Sequence, residues 1–452
     1  MRRVFEAATA VLLVLIIAGL IAVSFLPLAP AVFTRTTPLA EQASLPSVAP
    51  AQPAEQPAAE PVARGEAAGV LDPVLADAPA AAGRLSGAVV DVTSGDVVYS
   101  RNGDDAGVPA SSLKTVTAAA ALSVLGEDTR RATDVYVDGD AVVLVGGGDV
   151  LLTEARLAEL AADTAEALAG EPGADDERVL DLVLDDTLFA GSTLSPHWDD
   201  SLVTTDNIAP VMPIAMHAAR TGEEKGAPRA SDPAMTAALE FHQALAAELD
   251  GTGASLGDDV VRGQRGEDAE RIARLDSPTI GEMVRVMAED SENYVAETLG
   301  RLVALESGQP ASFGGVAAAM TAAVERMGVT TDGLRIVDAS GLAAANAISP
   351  EQLASILSAA SVSASADLRD VPYMLPIAGA TGTLASRLES DATRGKVRAK
   401  TGTLAGVATL TGYAVTGDGQ LLAFSFFARD VPGSLTGARD VLDDAAAALA
   451  GL

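Results

Sequence analysis

Cysteine is absent from this chain, which excludes disulfides, thiolate metal sites, a cysteine nucleophile and a lipid-modified cysteine. Aromatic residues make up only 3%, so the apolar 48% of the sequence is carried largely by alanine. Positive charge is also scarce: 30 Lys and Arg stand against 62 Asp and Glu, a formal net charge of −32. Nucleic acid demands a basic footprint, so nucleic-acid binding is excluded as a function class. The acid excess instead favours a soluble, monomeric body. Rarest of the cations is lysine, with four copies: Lys114, Lys225, Lys396 and Lys400. An amine can shed its proton at accessible pH and a guanidinium cannot, so these positions are where base chemistry is expected.

What is present is enough sequence for several domains, 452 residues in all. Residues 1–6 carry Arg2 and Arg3, and an uncharged, mostly apolar run follows from Ala7 to Leu26. Twenty residues at ~1.5 Å each span the ~30 Å core of a bilayer. Arginines ahead of the run favour a cytoplasmic N-terminus and an extracytoplasmic body. A single-pass membrane anchor is therefore expected; the alternative is a signal peptide cleaved after Ala29-Pro30-Ala31. Residues 27–83 are rich in Ala, Pro, Gln and Glu, which reads as an extended linker.

Folded sequence is expected to start near Arg84. The β-rich runs Gly87 to Val92 and Val97 to Ser100 flank Thr93-Ser94-Gly95-Asp96, a hairpin pattern. The spacing predicts a buried helix from Ser111 to about Leu125, since that stretch is apolar nearly all round. Near the C-terminus, Ala405 to Val415 and Leu421 to Ala428 form a second hairpin, with a final helix over about Leu435 to Leu449. Strands at both ends with buried helices between them predict an α+β catalytic domain, residues 84–129 and 276–452, whose sheet pairs the two ends of the chain. Residues 130–275 have a different texture, short β-like runs alternating with an Ala/Glu helix, and are expected to be an inserted α/β region of one or two domains. All three histidines, His197, His217 and His242, fall there, as does Trp198.

Three short motifs occur in order: Ser111-Ser112-Leu113-Lys114, Ser291-Glu292-Asn293 and Lys400-Thr401-Gly402. Ser and Lys three apart on a helix share one face. Serine is a poor nucleophile until a neighbouring base takes its proton, and a desolvated Lys114 beside a second cation suits that task. Alone, the pattern also fits a helix N-terminus with a capping serine. Ser291 and Asn293 present a hydroxyl and an amide towards one cleft, although a capped helix–helix turn has the same composition. Lys400, Thr401 and Thr403 at a strand edge suit a terminal carboxylate, Gly402 lets a backbone approach closely, and the Thr403 amide suits an oxyanion. Edge-strand lysines also occur as gatekeepers against aggregation. The three motifs together, in a lysine-poor chain, point to Ser–Lys acyl transfer.

The combination Ser-x-x-Lys, Ser-x-Asn and Lys-Thr-Gly resembles penicillin-binding proteins and serine β-lactamases. Val337-Asp338-Ala339-Ser340-Gly341-Leu342 with Asn346 and Ser349-Pro350, Leu375 to Gly379, Gly382-Thr383-Leu384, and Gly395 to Leu404 narrow the resemblance to the class C low-molecular-mass penicillin-binding proteins. In the insert, Leu144 to Asp149, Asp185-Asp186 and Phe189 are similar to the same family. Glu292 stands where the family usually has Asp, and Asp149-Val150 where it has Asp-Pro. The resemblance implies a transpeptidase-like fold and a D-alanyl-D-alanine carboxypeptidase or endopeptidase acting on peptidoglycan stem peptides, with β-lactams as covalent inhibitors. It implies Ser111 as nucleophile, Lys114 as base, Ser291 as proton relay, and Asn293, Lys400, Thr401, Gly402 and Thr403 as substrate-binding residues. A β-lactamase or esterase on the same scaffold, or a non-catalytic wall-assembly protein, are the alternatives. No cofactor and no metal are expected. The triplet Gly146-Gly147-Gly148 lacks the Gly-Lys-Ser/Thr of a phosphate loop, Asp185-Asp186 reads as a turn cap, and the histidines are too scattered for a zinc motif.

Overall fold

The computed structural model describes residues 61–169, 178–224, 226–250 and 253–452. The anchor run Ala7–Leu26, most of the 27–83 linker and Lys225 lie outside the described residues. No helix among the described residues is long and apolar enough to cross a membrane.

Twelve strands are described in chain order: β1 (Arg84–Asp91), β2 (Val97–Arg101), β3 (Arg130–Asp138), β4 (Ala141–Gly146), β5 (Asp149–Leu152), β6 (Arg178–Asp185), β7 (Ile214–Met216), β8 (Ala254–Arg262), β9 (Glu270–Thr279), β10 (Val397–Leu404), β11 (Val407–Val415) and β12 (Leu421–Arg429). The first sheet runs β10-β11-β12-β1-β2. Its two ends of chain meet in antiparallel register, Arg84 beside Arg429 and Asp91 beside Leu422. Strand β12 is buried almost throughout, because the sheet is covered on both faces. Phe424, Phe426 and Ala428 enter one core, while Phe427, Ala423 and Tyr413 of β11 enter the other.

Helices fix those two faces. On one, the C-terminal helix Thr436–Ala450 packs with a helix over Arg64–Ala76. The sequence reading started the folded body near Arg84, and the structure moves that boundary upstream. Ala67, Leu71 and Leu75 are buried against the sheet and the C-terminal helix, and the Tyr99 hydroxyl donates to Asp72 at 3.0 Å. Each buried Leu contributes roughly 1.5–3 kcal/mol, enough to hold a helix that its Ala- and Pro-rich surroundings disguise. On the other face lie Lys114–Leu125, Ile280–Glu289, Asn293–Glu306, Phe313–Arg326 and Pro350–Ser361. The central helix begins at Lys114, three residues later than the sequence suggested, after a 3-10 turn over Ala110–Leu113. In a 3-10 turn residues three apart eclipse, so Ser111 and Lys114 remain neighbours.

Between Arg130 and Thr279 the described residues build a separate sheet, β8-β6-β4-β3-β9, covered by the helices Glu154–Ala169 and Pro233–Glu248 with a core of its own. The β4–β6 and β6–β8 pairs are parallel. The glycine triplet is the join between β4 and β5. The Asp185 carboxylate accepts from the Thr187 N–H at 3.1 Å and the Arg265 N–H at 2.9 Å, as a loop-capping residue does.

Candidate active site

Lys114 is the hub. Its three N–H donors each find an acceptor: Ser111 Oγ at 3.0 Å, Asn293 Oδ1 at 2.7 Å and the Ser340 carbonyl at 2.7 Å. The side chain is 1% exposed, and burial lowers its pKa from 10.5 to about 8, against the opposing pull of Asp338, Glu297 and Glu292. Ser112 turns away from this cluster; it is fully buried and shares a hydrogen bond with Thr409 Oγ1 at 2.8 Å.

Lys400 lies on β10, completely buried, and donates to the Thr401 carbonyl at 2.9 Å. Burial drives its pKa well below the usual lysine value, and the positive charges of Lys114 and Arg387 add to the effect. Thr401 Oγ1 donates to Thr383 Oγ1 at 3.1 Å, and the exposed Thr403 accepts from Arg439 Nη2 at 3.1 Å. Gly402 is required by contact: a Cβ there would sit 2.0 Å from Thr409 Oγ1 and 2.8 Å from the Pro109 carbonyl. Gly341, with φ +81°, approaches from the opposite side, where a Cβ would lie 1.9 Å from the Ala110 carbonyl. These two glycines let β10 and the 338–341 turn close on the segment that carries Ser111.

Ser291 joins the helices Ile280–Glu289 and Asn293–Glu306 in a left-handed conformation, φ 58°, which is strained for a residue with a Cβ. Its hydroxyl makes no hydrogen bond to either lysine or to any other described residue. The structure thus joins Ser111, Lys114 and Asn293 directly and brings Lys400, bonded to the Thr401 carbonyl, into electrostatic reach, while Ser291, Gly402 and Thr403 make no hydrogen bond to Ser111, Lys114, Asn293 or Lys400 among the described residues.

Several contacts that shape the site were not foreseen from the motifs. Glu292 caps the helix that follows it, accepting from the Tyr294 N–H at 3.1 Å. It also pairs with Arg229 Nη2 at 2.5 Å and Arg220 Nη2 at 3.4 Å, both from the insert. Asn293 Nδ2 donates to the Asn207 carbonyl at 2.9 Å, a further tie to the insert. Below the base, the buried Asp338 carboxylate accepts from the N–H groups of Gly341 and Ala343, from Asn346 Nδ2 and from Trp198 Nε1. Glu297, fully buried, accepts from the Ala339 and Ser340 N–H groups at 3.1 and 2.8 Å, and so anchors the backbone just before the Ser340 carbonyl that holds Lys114. Burial and then Asp338 push its carboxyl up to about 8. A charged residue amid the apolar positions of Asn293–Glu306 was the available signal.

A hydroxyl held by a buried, readily deprotonated amine, with a second buried amine beside it, is equipped for nucleophilic acyl transfer. Comparison with known proteins agrees in fold and sequence. The structure superposes on penicillin binding protein 4 of Haemophilus influenzae with a TM-score of 0.68 and 21% identity, over 83% of this chain and 97% of that one, which shows the fold. Carboxypeptidase DacB of Mycolicibacterium smegmatis is 32% identical over 359 residues, 77% of each chain. A D-alanyl-D-alanine carboxypeptidase of Actinomadura is 28% identical over 438 residues, covering 78% of this chain and 79% of that protein. The sequence model of the D-Ala-D-Ala carboxypeptidase 3 (S13) family matches residues 67–227 and 218–449. With most of its length matched and its fold shared, the chain belongs to that family of carboxypeptidase hydrolases.

Proposed function

We propose that this protein trims peptidoglycan stem peptides as a serine-type D-Ala-D-Ala carboxypeptidase through an acyl-enzyme on Ser111, and that penicillin inhibits it covalently. The observation that carries the reading is the 3.0 Å contact between Ser111 Oγ and a Lys114 amine lowered to about 8. At pH 7 about a tenth of such an amine is free base, against well under a thousandth at an ordinary lysine pKa.

Ser111 Oγ attacks the carbonyl of the penultimate D-alanine as its proton passes to Lys114. The backbone N–H groups of Ser111 and Thr403 stabilise the oxyanion. Collapse expels the terminal D-alanine, whose amine takes a proton relayed by Ser291 from the lysine pair. Asn293 orients the substrate amide, and Lys400, Thr401 and Thr403 receive the terminal carboxylate at the strand that Gly402 brings close. That carboxylate supplies the counter-charge that a buried Lys400 lacks. Water, deprotonated by Lys114, then releases the shortened peptide. A β-lactam completes the first step and stalls at the second. The run Ala7–Leu26 would hold this domain on the outer face of the cell membrane, where the polymer lies.

Incubation with a fluorescent penicillin is expected to give a covalent adduct that Ser111→Ala abolishes. The wild type should release D-alanine from a stem-pentapeptide analogue. Labelling that survives Ser111→Ala refutes the nucleophile, and rapid penicillin turnover without an adduct points to a β-lactamase instead.

A further inference from the structure

Close to the second motif but outside the catalytic cluster, one imidazole and two carboxylates converge. Glu154 opens the helix Glu154–Ala169, His217 follows β7, and Glu223 lies six residues further along the same loop. One ligand atom from each lies within 4.8 Å of the others. His217 Nε2 is 3.0 Å from Glu154 Oε2, and its side chain is 7% exposed. An ordinary His–Glu pair accounts for that contact but not for Glu223. Glu223 stands beside that pair with no hydrogen bond or ion pair of its own among the described residues. Two like charges at that separation repel, and a cation held between them would relieve the repulsion.

We propose that Glu154, His217 and Glu223 form a zinc(II) site that braces the insert against the second catalytic motif. Imidazole and carboxylate bind zinc at ~2.0–2.2 Å, which sets ligand atoms roughly 3.3 Å apart in a tetrahedron, with water completing the set. The Glu154–His217 spacing is near that value, and only Glu223 must close. Binding replaces the Glu154–His217 hydrogen bond and requires the neutral imidazole. The backbone already presents the ring: His217, Ala218 and Ala219 all have positive φ, and their loop is tied back by His217 N–H to the Leu152 carbonyl and Ala218 N–H to the Val150 carbonyl.

The connection to the catalytic loop is short. Arg220 lies between His217 and Glu223 and reaches Glu292, while Arg229 closes the same loop, donating to the Ala218 carbonyl and to Glu292. A cavity of about 330 Å³ is lined by His217, Glu223 and Arg220 on one side and by Asp290 and Glu292 on the other. A cation at the triad would pin both ends of the segment that carries Arg220. Histidine spacing gave no metal motif because the ligands come from two elements 63 residues apart in sequence.

The test uses the full chain, stripped with chelator and titrated with ZnCl2 in excess MgCl2, which occupies non-specific acidic sites. One zinc per chain is expected, with affinity lowered at least tenfold by His217→Gln and by Glu223→Gln. No binding, or binding unchanged in both variants, overturns the site. The bracing role rests on the proposed acylation of Ser111. It is read as faster fluorescent-penicillin labelling when zinc is added to wild type but not to His217→Gln, whose metal-free rate should equal that of the wild type. Labelling indifferent to zinc overturns the brace. Absence of labelling in every sample instead overturns the acyl-enzyme reading and leaves the binding result standing.

Discussion

The acid limb of acylation is the sharpest consequence of the site. Burial lowers Lys114 to about 8, and the base is the deprotonated form. Acylation should therefore fall as pH drops through that value. The free-base fraction is roughly 1% at pH 6, 10% at pH 7 and 90% at pH 9, so the rate should climb nearly a hundredfold over that range and flatten above it. The assay is time-resolved labelling by a fluorescent penicillin at sub-saturating concentration, which isolates the first covalent step. The substitution Lys114→Arg keeps the positive charge but supplies no base, and should slow labelling by at least ~100-fold at every pH. A flat profile from pH 6 to 9, or an inflection near the ordinary lysine value, would refute burial as the origin of the base. So would an Arg variant that retains the wild-type slope.

Other substitutions probe the frame around the base. Arg229→Ala strips Glu292 of its closest partner where both side chains are nearly buried (4% and 11% exposed) and leaves it Arg220 and the Tyr294 N–H; a loss of about 1–3 kcal/mol is expected in denaturant unfolding, with slower penicillin labelling. Gly402→Val would drive a side chain into Thr409 and Pro109, and labelling should fall at least tenfold while circular dichroism keeps its native shape. Leu71→Ala removes a fully buried side chain from the Arg64–Ala76 helix. Its expected cost is about 2–5 kcal/mol in denaturant unfolding, and an unchanged midpoint would mean that this helix is not part of the folded body.

The legible parts of the site were those written in local spacing. Ser111 and Lys114 stay adjacent whether the segment is α or 3-10, so the helix boundary could shift without separating them. The pairing of the chain ends was legible because β-rich hairpins stood at both. Other contacts leave no pattern in sequence. The Ser340 carbonyl that holds Lys114 is a backbone atom, which every residue has. The Arg229–Glu292 pair joins positions that only the fold brings together. The Arg64–Ala76 helix was hidden by alanine and proline, residues that suggest a linker until the C-terminal helix provides a surface to cover.

Strand β1 lies between β2 and β12, Arg84 beside Arg429. For a ribosome this is an awkward order. The first strand to emerge waits for one of the last, and every strand from β3 to β9 is made in between. Such non-local pairing makes closure of the sheet slow, whereas the insert, with its own sheet and core, is complete earlier and can fold as a unit. A chain that stops before Leu421 would leave β1 and β11 with open edges, ready to pair with another copy. Premature termination should therefore yield aggregates rather than a weakened enzyme.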